Sequence, residues 1–155
     1  MVCPADDESF LSIIKETFAQ KVPFHRILGL NVESITYDEV KVVFHMKDDL
    51  LGHYARGMVH GGVISSVIDV TGGLAAFMGF QKRMPAETTE ARFERFGRVS
   101  TVDLHVDFLR PGTGIWFKAS GSTLRTGNKV AVARIELNND RGELIAVGSG
   151  SYVLI

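Results

Sequence analysis

Apolar residues recur at helical spacing early in the chain: Phe10, Ile13, Ile14 and Phe18 follow an acidic start at Asp6-Asp7-Glu8-Ser9. This predicts an amphipathic helix over about residues 6–20, ended by Pro23. The period then changes to two. In "LNVESITYDEVKVVFHM", Val40, Val42, Phe44 and Met46 point one way and Lys41, His45 and Lys47 the other. Two strands joined near Tyr37-Asp38-Glu39 are expected. The run "HGGVISSVIDVTGGLAAFMGF" carries no charge except Asp69, and Val63, Ile64, Val67, Ile68, Leu74, Ala75 and Met78 fit a helix over about 61–79 that is apolar nearly all round. Such a helix is buried on most sides. Gly72 and Gly73 inside it each cost about 1 kcal/mol relative to alanine, which is understandable if another backbone packs closely there.

Residues 81–98, "QKRMPAETTEARFERFGR", read as an exposed loop with a short helix after Pro85. Lys82, Arg83, Arg92, Arg95 and Arg98, interleaved with Glu87, Glu90 and Glu94, are expected on a solvated face. Strand follows strand thereafter. "VSTVDLHVDFL" places Val102, Leu104, Val106 and Phe108 on one face and Thr101, Asp103, His105 and Asp107 on the other. "PGTG", "TGN" and "NNDRG" then turn the chain between "IWFKASGSTLR", "KVAVARIEL" and "ELIAVGSGSYVLI". "GSGS" at 148–151 precedes no helix and reads as close packing in a strand rather than a phosphate loop. One helix buried on most sides needs a sheet that curls round it. The fold class is α+β: an antiparallel sheet of five to six strands wrapped around one long central helix, with an extra N-terminal helix, in one domain over 1–155.

Composition narrows the function classes. The 155 residues carry 17 basic and 18 acidic side chains, so no net charge favours nucleic acid or an anionic membrane as a partner. Cys3 is the one cysteine, which excludes an intrachain disulfide and a thiolate metal cluster. The acidic start lacks the features of a signal peptide, and no stretch reads as the roughly 20 apolar residues of a bilayer span. A cytoplasmic location is expected.

Candidate chemistry centres on His60-Gly61-Gly62 and Asp69. An aspartate in an apolar helix is, taken alone, most often a carboxylate satisfied by Ser, Thr or backbone groups. A helix that opens on Gly-Gly, however, presents free N–H groups and the positive end of its dipole without a Cβ to block a carbonyl. His60 fits either a structural hydrogen bond or a shaping role, and Asp103, His105 and Asp107 fit a solvated or intersubunit strand face. His53, His60 and Asp69 match no metal-ligand spacing, so no metal is expected.

The pieces "VHGGVISSVIDVTGG" (59–73), "TVDLHVDFLRPG" (101–112) and "GNKVAVARIEL" (127–137), with the strand order, resemble the hotdog-fold acyl-CoA thioesterases of the phenylacetic-acid-degradation type. The charged insert is similar to that of a bacterial medium/long-chain acyl-CoA subgroup. The resemblance implies that Asp69 is the nucleophile or the base activating water, that Gly61, with Gly62, offers N–H groups to the thioester carbonyl, and that His60 shapes that corner. The family often carries an Asn or Gln ahead of HGG. Here "GHYARGM" over 52–58 has none, and His53 or Tyr54 would substitute. Arg110, inside the matched motif, is the first candidate for the coenzyme A phosphates, with Arg125, Asn128 and Lys129 as further substrate contacts. Coenzyme A is part of the substrate, and no separate cofactor is expected.

Gly61 and Asp69 are eight residues apart, or about 12 Å along one helix axis. One thioester carbon cannot touch both. A site using both therefore needs a second chain whose central helix runs antiparallel, so a homodimer with two shared sites, and beyond it a dimer of dimers, is expected. The rival functions are a hydratase or dehydratase of acyl thioesters and a non-catalytic acyl-CoA-binding or regulatory module.

Overall fold

The computed structural model describes residues 4–84 and 88–155; Cys3, Pro85 and Glu87 lie outside the described residues. Helix α1 (Pro4–Glu16) passes directly into a π-helical turn, Thr17–Lys21, and then into helix α2 (Pro23–Leu28). Pro23 therefore starts a helix as well as ending one. It takes the first helical position, where its missing N–H costs nothing, and Gly29 at φ 72° closes the other end.

Strands β1 (Asn31–Ile35) and β2 (Val40–His45) form the expected hairpin. A small second hairpin, β3 (Leu51–His53) with β4 (Met58–Val59), leads into the central helix α3 (Gly61–Arg83). After α4 (Thr89–Phe96) come β5 (Val99–Phe108), β6 (Trp116–Thr126), β7 (Val130–Asn139) and β8 (Leu144–Leu154). The main sheet has six antiparallel strands in the order β1-β2-β6-β7-β8-β5, and α3 packs against it from β2 to β5. This is the antiparallel sheet around a central helix that the hydropathy pattern implies, and the hotdog fold that the resemblance implies.

By length and composition α3 would cross a bilayer, with a mean hydropathy of 1.6 over its most apolar window, which corrects the expectation that no stretch is apolar enough. Its apolar surface is instead used up inside the molecule, against the sheet and, at Phe77, against Phe10 and Phe96: Ile64, Val67, Ile68, Leu74, Phe77 and Phe80 are buried. At Gly72 the close neighbour is a side chain rather than a backbone. A Cβ there would lie 2.1 Å from the Tyr152 hydroxyl and 2.9 Å from Ile135 Cδ1. A Cβ on Gly73 would meet only the Tyr152 ring, at 3.6 Å.

Two expectations fail for the same reason, contacts brought from far along the chain. Arg92 and Arg95 are not solvated but buried, at 3% and 6% exposure. The Arg92 guanidinium lies over the Phe10 ring at 3.7 Å and donates to Asp7 Oδ1 at 2.9 Å and to the Tyr37 hydroxyl at 2.6 Å. Tyr37 in turn donates to Asp7, and Gln81 Oε1 accepts from Arg92 Nε at 3.4 Å. In β5 the pairing with β8 slips between Thr101 and Asp103, a β-bulge that inverts the strand's alternation. Val102 is thereby 63% exposed, while Thr101, expected on the outer face, turns its hydroxyl to α3.

Candidate active site

The corner at the start of α3 is built from three directions. The His60 N–H donates to Leu50 O at 2.8 Å and the Val59 N–H to Gly112 O at 2.9 Å. Gly52 lies so near that a Cβ there would stand 2.6 Å from His60 Cα. His60 caps the helix: its Nδ1 accepts the Gly62 N–H at 2.8 Å, and its carbonyl accepts from Val63 and Ile64. Accepting at Nδ1 assigns the ring proton to Nε2 in the neutral imidazole. The Gly62 donor is engaged by this cap, whereas the Gly61 N–H has no acceptor among the described residues. It stands at the positive end of a 23-residue helix, with the Phe108 ring beside it.

Asp69 lies about 12 Å further along α3. It is half-buried, and its Oδ1 accepts a hydrogen bond from Thr101 Oγ1 at 2.8 Å. Its backbone carbonyl accepts from the Tyr152 hydroxyl at 3.0 Å. Burial raises the Tyr152 phenol above its ordinary pKa, and the Asp69 charge adds to the rise, so Tyr152 remains a donor. Sequence reasoning missed Thr101, although it opens the matched segment 101–112, because the bulge removes it from the face that alternation assigns.

Beside Asp69 lies a cavity of about 170 Å³, walled mainly by apolar groups such as Val70, Leu74, Phe77 and Phe96. His25 reaches it from α2. Its Nδ1 donates to Phe18 O at 2.8 Å, and its ring lies 4.3 Å from that of Phe18. Burial lowers the His25 pKa, and the carbonyl contact opposes this only in part, so the ring is neutral at pH 7.

The substrate-contact candidates fall into two groups. His53 and Tyr54 sit at the β3–β4 hairpin close to the corner, with their rings 6.0 Å apart and Tyr54 90% exposed. Arg110 is exposed and donates to Leu144 O at 2.8 Å. Arg125, Asn128 and Lys129 lie instead at the β6–β7 hairpin, where Asn128 Oδ1 accepts from Arg83 Nε at 2.9 Å. Arg83 ends α3, about 33 Å along its axis from Gly61. One chain therefore does not bring Arg110 and the β6–β7 group together. His105 Nε2 and Asp107 Oδ1 pair at 3.2 Å in the solvent.

A helix N-terminus offering an N–H, a carboxylate held by a hydroxyl and an apolar cavity are the parts that acyl transfer requires. The sequence profile of the thioesterase superfamily matches residues 56–146, which hold the corner, Asp69 and Thr101. The medium/long-chain acyl-CoA thioesterase YigI of Escherichia coli (strain K12) is 37% identical over 147 residues, 95% of each chain. Its counterpart in Salmonella typhimurium (strain LT2) is 38% identical over the same share. A crystal structure from Shewanella oneidensis, of a protein related to the thioesterase superfamily, superposes with a TM-score of 0.92 at 41% identity, covering 99% of this chain and 100% of that one. This chain belongs to the thioesterase superfamily.

Proposed function

We propose that this protein hydrolyses medium- to long-chain or aromatic acyl-CoA thioesters to the free acid and coenzyme A, acting in the cytoplasm as a homodimer that pairs further into a dimer of dimers. The observation that carries the reading is the Asp69 carboxylate, held by Thr101 at the mouth of an apolar cavity. Asp69 activates water or attacks the thioester carbon. The Gly61 N–H stabilises the oxyanion, a role worth roughly a hundred- to a thousandfold in turnover elsewhere. His60 holds Gly62 and so orients the corner, while His53, Tyr54 and Arg110 meet coenzyme A on that side. Arg125, Asn128 and Lys129 serve a portion of the ligand at the far end of the helix.

The 12 Å between Gly61 and Asp69 supports a site shared by two chains with antiparallel α3 helices. β5 supports the same assembly. It is an edge strand whose outer backbone edge is unpaired among the described residues, with Val102, Phe108 and Leu109 exposed along it.

The test measures thiol release from a panel of acyl-CoA esters. Asp69→Asn and Gly61→Pro are each expected to be at least a hundredfold slower. Proline suits the first helical position, where its ring replaces the N–H beside Phe108, so it both removes the donor and narrows the approach to it. Mixed dimers of the two variants regain one intact site of two. Absence of recovery on mixing refutes the shared site; undiminished turnover in Asp69→Asn refutes the mechanism. Tight binding without thiol release favours the regulatory module. His25 and Asp69 lining one cavity favours, as a second reading, hydration of an enoyl thioester, which would consume the conjugated double bond without releasing thiol.

A further inference from the structure

Asp69, Val70, Gly73, Leu74 and Phe77 form one stripe of α3, so the cavity beside them runs down the helix away from the Asp69 carboxylate. Eight residues on, about 12 Å along the axis, Phe77 meets Phe96 of α4 edge to face at 5.2 Å. The Phe18–His25 pair, its rings tilted 44° to each other, closes one side. We propose that this cavity is the chamber for the acyl chain and that Phe96 is its end stop, so that α4 and the N-terminal helices measure chain length. The proposal rests on the acyl-thioester reading of Asp69.

The volume sets the scale. A protein cavity of about 150 Å³ accepts benzene, so 170 Å³ receives roughly the first six carbons of a chain before Phe96 is met, and the rest of a longer chain turns out through the open side of the cleft. The end stop does not swing freely, because its helix is fastened from within. Arg92, one turn before Phe96, is tied to Asp7 and Tyr37 and covered by Phe10. Arg95 Nη1 donates to Met84 O at 3.3 Å, joining α4 to the residue after α3. Removing one partner from a buried charged network is strongly destabilising, so the wall is stiff. Phe18 and His25 lie outside the matched segment 56–146, so the gauge draws on residues separate from those that hold the thioester.

The experiment compares wild type, Phe96→Ala and Gly73→Val. A Cβ on Gly73 meets only the Tyr152 ring at 3.6 and 3.8 Å, so valine there narrows the chamber without striking backbone. Binding of S-alkyl coenzyme A thioethers from butyl to tetradecyl is measured by calorimetry, and thiol release from acyl-CoA esters of matching length is measured in parallel. Wild-type affinity should climb roughly fourfold per carbon, the equivalent of about 0.8 kcal/mol per buried methylene, and level off near six carbons. In Phe96→Ala the climb continues to longer chains; in Gly73→Val it stops earlier. If Phe96→Ala fails to fold, Gly73→Val decides alone. A levelling point unmoved in the folded variants overturns the gauge while leaving hydrolysis intact. The expected shifts without thiol release from any ester uphold the chamber and overturn the hydrolysis reading.

Discussion

Gly72 and Gly73 are neighbours on α3 and should respond to alanine in opposite directions. On helix propensity alone, each substitution gains about 1 kcal/mol. At Gly72 the new methyl would sit 2.1 Å from the Tyr152 hydroxyl and 2.7 Å from its Cζ, with Ile135 Cδ1 at 2.9 Å on another side. Tyr152 is fully buried and cannot retreat without surrendering its bond to the Asp69 carbonyl. Overpacking costs about 1–3 kcal/mol, and a buried hydroxyl left unpaired costs about as much again. After the propensity gain, Gly72→Ala loses about 1–5 kcal/mol net. For a chain of this length that lowers Tm by about 2–20 °C. Gly73→Ala, whose methyl makes ordinary contact with the Tyr152 ring, keeps its gain and raises Tm by about 2–4 °C. Thermal unfolding followed by circular dichroism reads both. A Gly72→Ala protein as stable as wild type would refute the steric argument and leave propensity as the governing term.

Two further predictions test the site. Thr101→Val removes the hydroxyl that donates to Asp69 while keeping the side chain's shape. A hydrogen bond to a charged group is worth about 1.5–3 kcal/mol, and with Thr101 exposed the lower end applies, so kcat should fall about tenfold. Thr101→Ser should restore it, and a kcat unchanged in Thr101→Val would remove Thr101 from the site. His25, whose pKa burial depresses below the ordinary 6.5, gives stability that is complete above that value. This stability is lost as pH falls through the folded-state pKa, because the unfolded chain binds the proton first. Tm should therefore drop from about pH 7 to about pH 5 more steeply in wild type than in His25→Asn. Parallel curves for the two proteins would show that His25 titrates alike folded and unfolded.

The parts of the fold legible in the sequence are those where one segment faces one surface. The charge-free run through Asp69 has a single way to hide its apolar surface, and α3 follows from it, though it runs four residues past the expected end at 79. The terminal hairpins follow from alternation and turn residues in the same way. Helix α2 was legible too: Pro23 and Gly29 bracket it as start and stop, a signal obscured by reading Pro23 only as a terminator. Burial of Arg92 has no local signature, because its partners stand 55 and 85 residues away at Tyr37 and Asp7. The bulge at Val102 is likewise silent, since a slip in pairing is a property of two strands and no residue type announces it. For that reason the corner and Asp69, which share one helix, could be singled out as candidates from the sequence and its family resemblance. Thr101 and the cavity wall, which require the sheet to close, could not.

The π-helical turn at Thr17–Lys21 has a consequence for how this chain tolerates change. The π turn winds five residues onto the end of α1 before the extended backbone at Val22 (φ −87°, ψ 113°) breaks the helix ahead of α2. It lets α1 keep Asp7 and Phe10 against Arg92 while Phe18 still offers its carbonyl to His25. Deleting one residue from this turn would rotate everything before it by about 100°. Asp7 would leave Arg92 and Phe10 would turn out of the core, with no side chain altered. The N-terminal arm is therefore a segment where a change of length costs more than most changes of identity.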